Sequence, residues 1–524
     1  MATMAPADVR TVGVETKSEG DVRVEPFDQF NQELVANVHP AGWVNPEPRE
    51  RYHLVVIGAG TGGLVTASIA AGLGARVALV ERYLMGGDCL NVGCVPSKGI
   101  LSAARSWQAA TDSRRRFGGP AVTGPGDFGE AMARMRRIRA GLSRIDSAPR
   151  YRDLGVDVFL GEGRFTGRDT VMVGGRTLRF RRAVIATGAR PAVPPIPGLE
   201  TTGYLTNETI FGLTELPRRL TIIGAGPIGC ELAQAFARLG SAVTVIDRGA
   251  HILPREDADA ARIVELAMET HGVRLLHDAT VVRVEARGGE RMIQVHIGGR
   301  TEEIACDELL VATGRAPNVD GLGLEAAGVT YSRRGVGVND RLRTSNPHIF
   351  AVGDICSKYQ FTHAADATAR LVVANALFFG LGGGKISTLV MPWVTYTTPE
   401  VAHVGMTEAD ATAVGLRVQT ITVPLHDVDR AVLDGQEDGF LRMHLKEGTD
   451  RILGATLVAE HAGEMIGEIA LALTAGVGLG KIGSTIHPYP TQAEVFRKAA
   501  DAWRRTKLTP SAKRAFRTFF RLIG

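Results

Sequence analysis

Short apolar runs separated by glycines organise the first half of this chain. His53-Leu54-Val55-Val56-Ile57 ends in Gly58-Ala59-Gly60-Thr61-Gly62-Gly63; small residues follow, then Arg76-Val77-Ala78-Leu79-Val80-Glu81. Runs of this length bounded by turn residues predict buried strands, and the small residues between them a helix, so the pattern is a βαβ unit. It recurs as Leu220-Thr221-Ile222-Ile223, the turn Gly224-Ala225-Gly226-Pro227-Ile228-Gly229, a helix, and Ala242-Val243-Thr244-Val245-Ile246-Asp247. Two copies, each with an acid closing its second strand, predict two dinucleotide sites. In each turn the first glycine (Gly58, Gly224) allows the tight bend. The second (Gly60, Gly226) lets the backbone approach a pyrophosphate, and the third (Gly63, Gly229) lets helix pack closely on strand. The phosphates then sit at a helix N-terminus, and Glu81 and Asp247 can accept hydrogen bonds from an adenosine ribose.

The pattern is weaker at both ends. Residues 1 to about 25 are polar and irregular and are expected to form a mobile arm. Residues 26–50 carry Phe27, Phe30, Leu34, Val38 and Trp43, enough apolar surface to pack on the body. Thr509-Pro510-Ser511 reads as a helix start. It is followed by Lys513, Arg514, Arg517 and Arg521 interleaved with Phe516, Phe519, Phe520, Leu522 and Ile523. A basic helix with an aromatic face can lie on an anionic membrane surface or pack on the protein itself, and this one is too short to span a bilayer.

Length and composition narrow the class. At 524 residues the chain is too long for one core, so two to four domains are expected. A net charge of +4 gives no case for nucleic-acid binding. No run of about 18 apolar residues encodes a membrane span, and no secretory signal is read at the N-terminus. Cysteine is scarce: Cys89, Cys94, Cys230, Cys306 and Cys356. That argues against a secreted disulfide scaffold and for a reducing compartment, hence a cytoplasmic location.

Two of these cysteines carry the chemistry. Gly86-Gly87-Asp88-Cys89-Leu90-Asn91-Val92-Gly93-Cys94-Val95-Pro96-Ser97-Lys98 resembles the redox-active segment of the class I pyridine nucleotide-disulfide oxidoreductases. The resemblance covers roughly residues 50–505 and is closest to mercuric reductase-like flavoproteins, relatives of dihydrolipoyl dehydrogenase and glutathione reductase. It implies FAD, NAD(P)H, and a homodimer in which the flavin passes two electrons from NAD(P)H to the Cys89–Cys94 pair. Cys94 would be the flavin-proximal thiol and Cys89 the interchange thiol. In a regular helix their Cα atoms would be about 7.5 Å apart along the axis, beyond the roughly 4.4–6.8 Å of a disulfide. Asn91-Val92-Gly93 is therefore expected to distort. The resemblance also pairs Lys98 with Glu231, a charge that stabilises reduced flavin. Cys230, Cys306 and Cys356 are read as ordinary buried or semi-buried cysteines.

The implied fold is α/β: two Rossmann-like dinucleotide-binding domains, the FAD domain split around an inserted NAD(P) domain, and a C-terminal α+β dimerisation domain. The expected boundaries are an extension over 1–50, FAD domain over 51–205 and 321–390, NAD(P) domain over 206–320, dimerisation domain over 391–508, and a basic tail over 509–524. Ala186-Thr187-Gly188 and its echo Ala312-Thr313-Gly314 would mark the crossings between domains. Gly353 and Asp354 would join Gly58, Gly60, Gly63, Glu81 and Lys98 at FAD, Gly224, Gly226, Gly229 and Asp247 would serve the nicotinamide cofactor, and Gly163, Ala186, Thr187, Gly188 and Gly314 are expected among the cofactor-binding residues.

The acceptor end departs from the best-known members. Where glutathione reductase and dihydrolipoyl dehydrogenase carry His-Pro-Thr-x-x-Glu, this chain reads His487-Pro488-Tyr489-Pro490-Thr491-Gln492-Ala493-Glu494. Alignment on Pro490-Thr491 and Glu494 puts Tyr489 at the base position, as in mercuric reductase, with Tyr489 and Glu494 of the second subunit lining the acceptor pocket. A phenol with pKa near 10 shuttles protons poorly where an imidazole near 6.5 does so well. His487, two residues earlier, is the alternative base. No cysteine follows Cys356, so the C-terminal cysteine pair that collects Hg(II) in mercuric reductases is missing, and no metal site is expected. Three readings stand: a reductase of Hg(II) or another thiophilic acceptor, a small-disulfide or lipoamide reductase, and a membrane-surface flavin redox sensor. Asp247 favours NADH, since it would repel a 2′-phosphate, whereas Arg248 and Arg255 could accommodate NADPH.

Overall fold

The computed structural model describes residues 16–17, 21–124, 126–378, 381 and 383–524. Residues 1–15 and 18–20, most of the expected mobile arm, lie outside the described residues; Thr16–Lys17 and Asp21–Val22 pair antiparallel. The chain divides into two compact units, one running to Ala250 and resuming over Gly272–Thr388, the other formed by His251–His271 and Leu389–Gly524.

The first unit opens with helix α1 (Gln29–Val38), started by Asp28, whose carboxylate accepts from the Phe30 and Asn31 amides. Leu34, Val35 and Val38 bury against the body, as their spacing predicts. Strand β1 (Tyr52–Ile57) leads into helix α2 (Thr61–Gly72) and strand β2 (Val77–Glu81). Helices α3 (Gly87–Asn91), α4 (Cys94–Phe117) and α5 (Phe128–Ser143) precede strands β3 (Val156–Leu160) and β4 (Arg176–Ile185). The first sheet has parallel order β3-β2-β1-β4, with Leu54 opposite both Val77 and Arg182. Both faces are covered, so the strands are near-continuously apolar. Leu54 and Val56 pack into one core with Leu79, Val158 and Val184, while Val55 and Ile57 pack into another with Val80, Phe159 and Ile185.

A second parallel sheet follows the short strand β5 (Ala189–Pro191). It consists of β6 (Arg219–Ile223), β7 (Ala242–Ile246), β8 (Arg274–Leu276) and β9 (Glu308–Val311), in order β8-β7-β6-β9, with helix α6 (Pro227–Arg238) after β6. Strand β10 (Arg315–Pro317) pairs antiparallel with β5, so the two Ala-Thr-Gly echoes feed one ribbon. Strand β11 (Ile349–Ala351) then returns to the first sheet beside β4, and helix α7 (Thr362–Leu377) packs with α2. The first sheet is thus interrupted in sequence by the second, as expected of a split domain.

The second unit is α+β. Strands β12 (Pro392–Thr395), β13 (Glu400–Gly405), β14 (Val418–Pro424), β15 (Phe440–Lys446) and β16 (Ile452–Ala459) form an antiparallel sheet of order β12-β13-β16-β15-β14. Helices α8 (Ala462–Ala475) and α9 (Glu494–Thr506) share its core. The helix Ala258–Thr270 belongs to this unit: Arg442 pairs with Asp257 at 2.8 Å, and Trp393 donates to Glu256 at 2.7 Å. Helix α10 (Pro510–Ile523) has no buried residue. Among the described residues no helix is long and apolar enough to cross a membrane.

Candidate active site

The two glycine turns are built alike. Gly58 and Gly224 both have positive φ (101° and 106°). A Cβ on them would lie 2.4 Å from the Ala186 carbonyl oxygen and 2.6 Å from that of Ala312, so each Ala-Thr-Gly echo closes over its own turn. A Cβ on Gly63 or Gly229 would sit 1.8 or 2.0 Å from the carbonyl oxygen of the first glycine. The middle glycines differ: Gly60 has nothing nearer than 3.7 Å, and Gly226 nothing within 4 Å. That open space at a helix N-terminus is the cradle a pyrophosphate needs. The acids follow the same plan. The Ala59 and Tyr83 amides donate to Glu81 at 2.7 and 2.8 Å, and the Ala225 and Gly249 amides donate to Asp247, both at 2.7 Å. One backbone amide per oxygen fixes each carboxylate and leaves lone pairs for ribose hydroxyls. Burial pushes the Glu81 carboxyl up, against the pull of those amides. The residues present therefore fit two dinucleotides.

Cys89 lies within α3 and Cys94 opens α4, both free thiols here. The helix breaks between them at Val92 and Gly93, where distortion was expected. A Cβ on Gly93 would lie 2.7 Å from the Asp88 carbonyl oxygen, so only glycine lets the chain double back. The two thiols hydrogen-bond, and the pair is electrically asymmetric. The Cys94 thiol is pulled down, first by that bond from Cys89, against burial, and further by the Thr362 hydroxyl 3.2 Å away and the charge of Lys98. The Cys89 thiol is pushed up by the same bond and by burial. Placement at the first turn of a helix also favours a Cys94 thiolate.

Lys98, one turn along α4, reaches Glu231 on α6 at 2.8 Å. Glu231 is buried while Lys98 is partly exposed, and with Cys94 it opens on a cavity of about 380 Å³ flanked by Arg134 and Ile138 of α5. Gly163 lies against Val80, where a Cβ would come within 2.9 Å. Thr187 exchanges hydrogen bonds with Asn318. Gly353, at φ 75°, starts the turn carrying Asp354. Asp354 faces Arg315 at 3.4 Å, and Arg315 also pairs with Asp88 beside Cys89.

Four residues of this neighbourhood escape sequence inspection. Arg315 directly follows the second Ala-Thr-Gly echo and Thr362 opens α7, yet nothing local marks their partners. Arg139 donates to the Asn91 carbonyl oxygen at 2.6 Å, and Asn207 to that of Val92 at 3.1 Å. They pin the two residues just before Gly93 from 48 and 115 positions away. The three remaining cysteines are unremarkable: Cys230 and Cys306 are buried, and burial pushes the Cys356 thiol to about 12.

In the second unit, Tyr489 is exposed and donates to Asp429 at 2.9 Å, which raises its pKa further. Glu494 is buried and engaged by Arg497. Tyr489 therefore bonds Asp429 rather than Glu494. The His487 side chain is only 6% exposed, and its Nε2 lies 3.0 Å from Glu468. Among the described residues no cluster of three or more His, Cys, Asp or Glu side chains could hold a metal ion.

Residues 52–369 match the family described as pyridine nucleotide-disulphide oxidoreductase, and residues 391–500 its dimerisation domain. The chain belongs to this family: it is a flavoprotein oxidoreductase of the class I type, and the family implies FAD, NAD(P)H and a homodimer. A mercuric reductase of Lysinibacillus sphaericus is 36% identical over 461 residues, covering 87% of this chain and 84% of that one. The dihydrolipoyl dehydrogenase of Bacillus subtilis is 31% identical over 470 residues, covering 86% and 97%. Among solved structures, the HOCl-induced flavoprotein disulfide reductase RclA from Escherichia coli superposes with a TM-score of 0.76 at 31% identity, covering 86% of this chain and 99% of that one.

Proposed function

We propose that this protein is a cytoplasmic, mercuric reductase-like NAD(P)H oxidoreductase whose Cys89–Cys94 pair serves a thiophilic acceptor, Hg(II) or a small disulfide. The observation that carries the choice of acceptor is the state of the proton donors. Tyr489 is a phenol with its pKa raised beside Asp429, and the His487 side chain is buried on Glu468. Acceptors that need little proton transfer are therefore favoured over lipoamide. Mercuric reductases at 36% identity support the same choice, and a Cu(II) complex is known for RclA.

Bound FAD would supply the electron pair, drawn from NAD(P)H, that regenerates the dithiol or reduces a captured ion. Gly58, Gly60, Gly63 and Glu81, with Gly163, the Ala186–Gly188 turn, Gly353 and Asp354, would hold FAD; Gly224, Gly226, Gly229, Asp247 and Gly314 would hold the nicotinamide cofactor. The fixed Asp247 carboxylate favours NADH. Lys98, held by Glu231, would place positive charge beside the cofactor. Toward a disulfide RSSR, the Cys89 thiol passes its proton to the Cys94 thiolate along their hydrogen bond, and the Cys89 sulfur attacks one sulfur, expelling RS⁻. The Cys94 thiolate then attacks Cys89, closing the intramolecular disulfide and releasing the second RS⁻. Two electrons leave the pair; its single proton leaves from Cys94 with the first product as RSH, and the second product departs as RS⁻, protonated by solvent. Toward a thiol-ligated Hg(II), the Cys94 thiolate and the Cys89 sulfur replace two RS⁻ ligands, and the Cys89 proton leaves on one released thiol. Tyr489 and Glu494 of the second subunit are assigned to the acceptor pocket on the family resemblance.

Anaerobic oxidation of NADH and NADPH by the purified protein tests this, with Hg(II) plus excess thiol in one cuvette and lipoamide in another. Turnover with Hg(II), faster with NADH, is expected. Turnover with lipoamide and none with Hg(II) would overturn the acceptor.

A further inference from the structure

Helix α10 is strongly encoded, yet nothing in the protein's interior uses it. Thr509 caps it by accepting from the Ala512 amide at 3.2 Å, and Pro510 occupies its first turn. At 3.6 residues per turn, Lys513, Arg514, Arg517 and Arg521 fall on one arc, and Ala512, Phe516, Phe519, Phe520 and Ile523 fall on the arc beside it, where Phe520 borders Lys513. The large apolar side chains are each at least half exposed, from 50% for Phe516 to 80% for Leu522. No acidic residue follows Asp501, so the basic arc has no counter-charge on its own helix.

We infer that α10 is an interfacial anchor that docks the protein on an anionic lipid surface. The two arcs ask for different surroundings: the cations for anionic headgroups, the phenyl and aliphatic groups for the acyl boundary just beneath them. A bilayer surface offers both within one helix diameter. A nucleic acid would answer the cations and leave the aromatic face in water. A protein groove would answer the aromatics and leave a concentrated basic arc unexplained. At 14 residues the helix is about 21 Å long, so it lies along the surface and does not cross it. None of this depends on which acceptor the cysteine pair serves.

The test uses the full-length, FAD-loaded protein sedimented with vesicles of phosphatidylcholine alone or mixed with phosphatidylglycerol. Binding to the anionic vesicles only, weakened by salt, is expected. The double variant F516E/F519E should weaken it by about tenfold or more for each phenyl group lost. R517E/R521E should abolish the preference for phosphatidylglycerol. NADH oxidation and the dimer's elution volume should stay those of the wild type in both variants, which verifies folding. The inference is overturned if wild type stays in the supernatant with both vesicles, if it binds neutral and anionic vesicles alike, or if F516E/F519E binds like wild type. An F516E/F519E protein that elutes as monomer while wild type ignores vesicles would make α10 a subunit contact instead.

Discussion

Gly226 and Gly229 lie three residues apart in one turn and answer to different constraints. A methyl on Gly229 would stand 2.0 Å from a backbone oxygen, whereas one on Gly226 would meet only open space. Gly229→Ala is therefore expected to destabilise the fold by about 2 kcal/mol or more, read as a lowered Tm. Gly226→Ala should leave Tm nearly unchanged and raise the KM for NADH about tenfold or more, because its methyl would occupy the open space proposed for a pyrophosphate. A Gly226→Ala protein with normal KM would remove that turn from cofactor binding. At the cysteines, the bond from Cys89 is the largest influence lowering the Cys94 pKa. In Cys89→Ala the pH midpoint for alkylation of Cys94 should move up toward that of an ordinary thiol. An unmoved midpoint would shift the cause to Lys98 and the helix terminus.

Between elements, buried polar pairs do the positioning. Helix α1 holds α5 through Asp28–Arg136 at 2.6 Å and Asn31–Arg139 at 2.6 Å, and Arg139 in turn holds the Asn91 carbonyl. Arg139 is 2% exposed and burial lowers its pKa to about 10, so its charge is costly. Its removal would nevertheless orphan two acceptors, each costing about 1–3 kcal/mol. Arg139→Met is expected to lose about 2 kcal/mol net, by thermal unfolding, and to loosen the Cys89–Cys94 segment, seen as faster alkylation of Cys89. In the second unit, burial raises the Glu256 carboxyl to about 7. Because its folded pKa exceeds the unfolded value, folding takes up a proton. The stabilisation is complete below about pH 4 and is lost as pH rises through 7. Glu256→Gln keeps an acceptor for Trp393 and removes the titration. Its stability relative to wild type should therefore rise between pH 5 and 8, on the order of 2 kcal/mol. Parallel stability curves would refute this.

For the whole molecule, the match of residues 391–500 to a dimerisation domain makes its exposed apolar residues candidates for the subunit contact. Ile486 is 93% exposed and Leu471 68%. In a two-fold interface each substitution counts twice, so Ile486→Asp should weaken the dimer roughly a hundredfold or more by sedimentation. Acceptor turnover should fall with it while NADH binding persists. Much of the site was legible before folding was considered. The two turns, the acids Glu81 and Asp247, the split of the first sheet and the break at Gly93 all follow from short windows in which backbone conformation restricts residue type. The pairing of Lys98 with Glu231 was accessible only through family resemblance. The remainder was decided by tertiary structure alone: Arg139, Asn207, Thr362 and Arg315 around the cysteines, the helix Ala258–Thr270 joining the C-terminal unit, Tyr489 bonded to Asp429 and His487 to Glu468. A single side chain meeting a partner 60 or 268 positions away leaves no period or spacing in the chain. A turn that must bring a backbone within van der Waals contact of itself leaves a glycine.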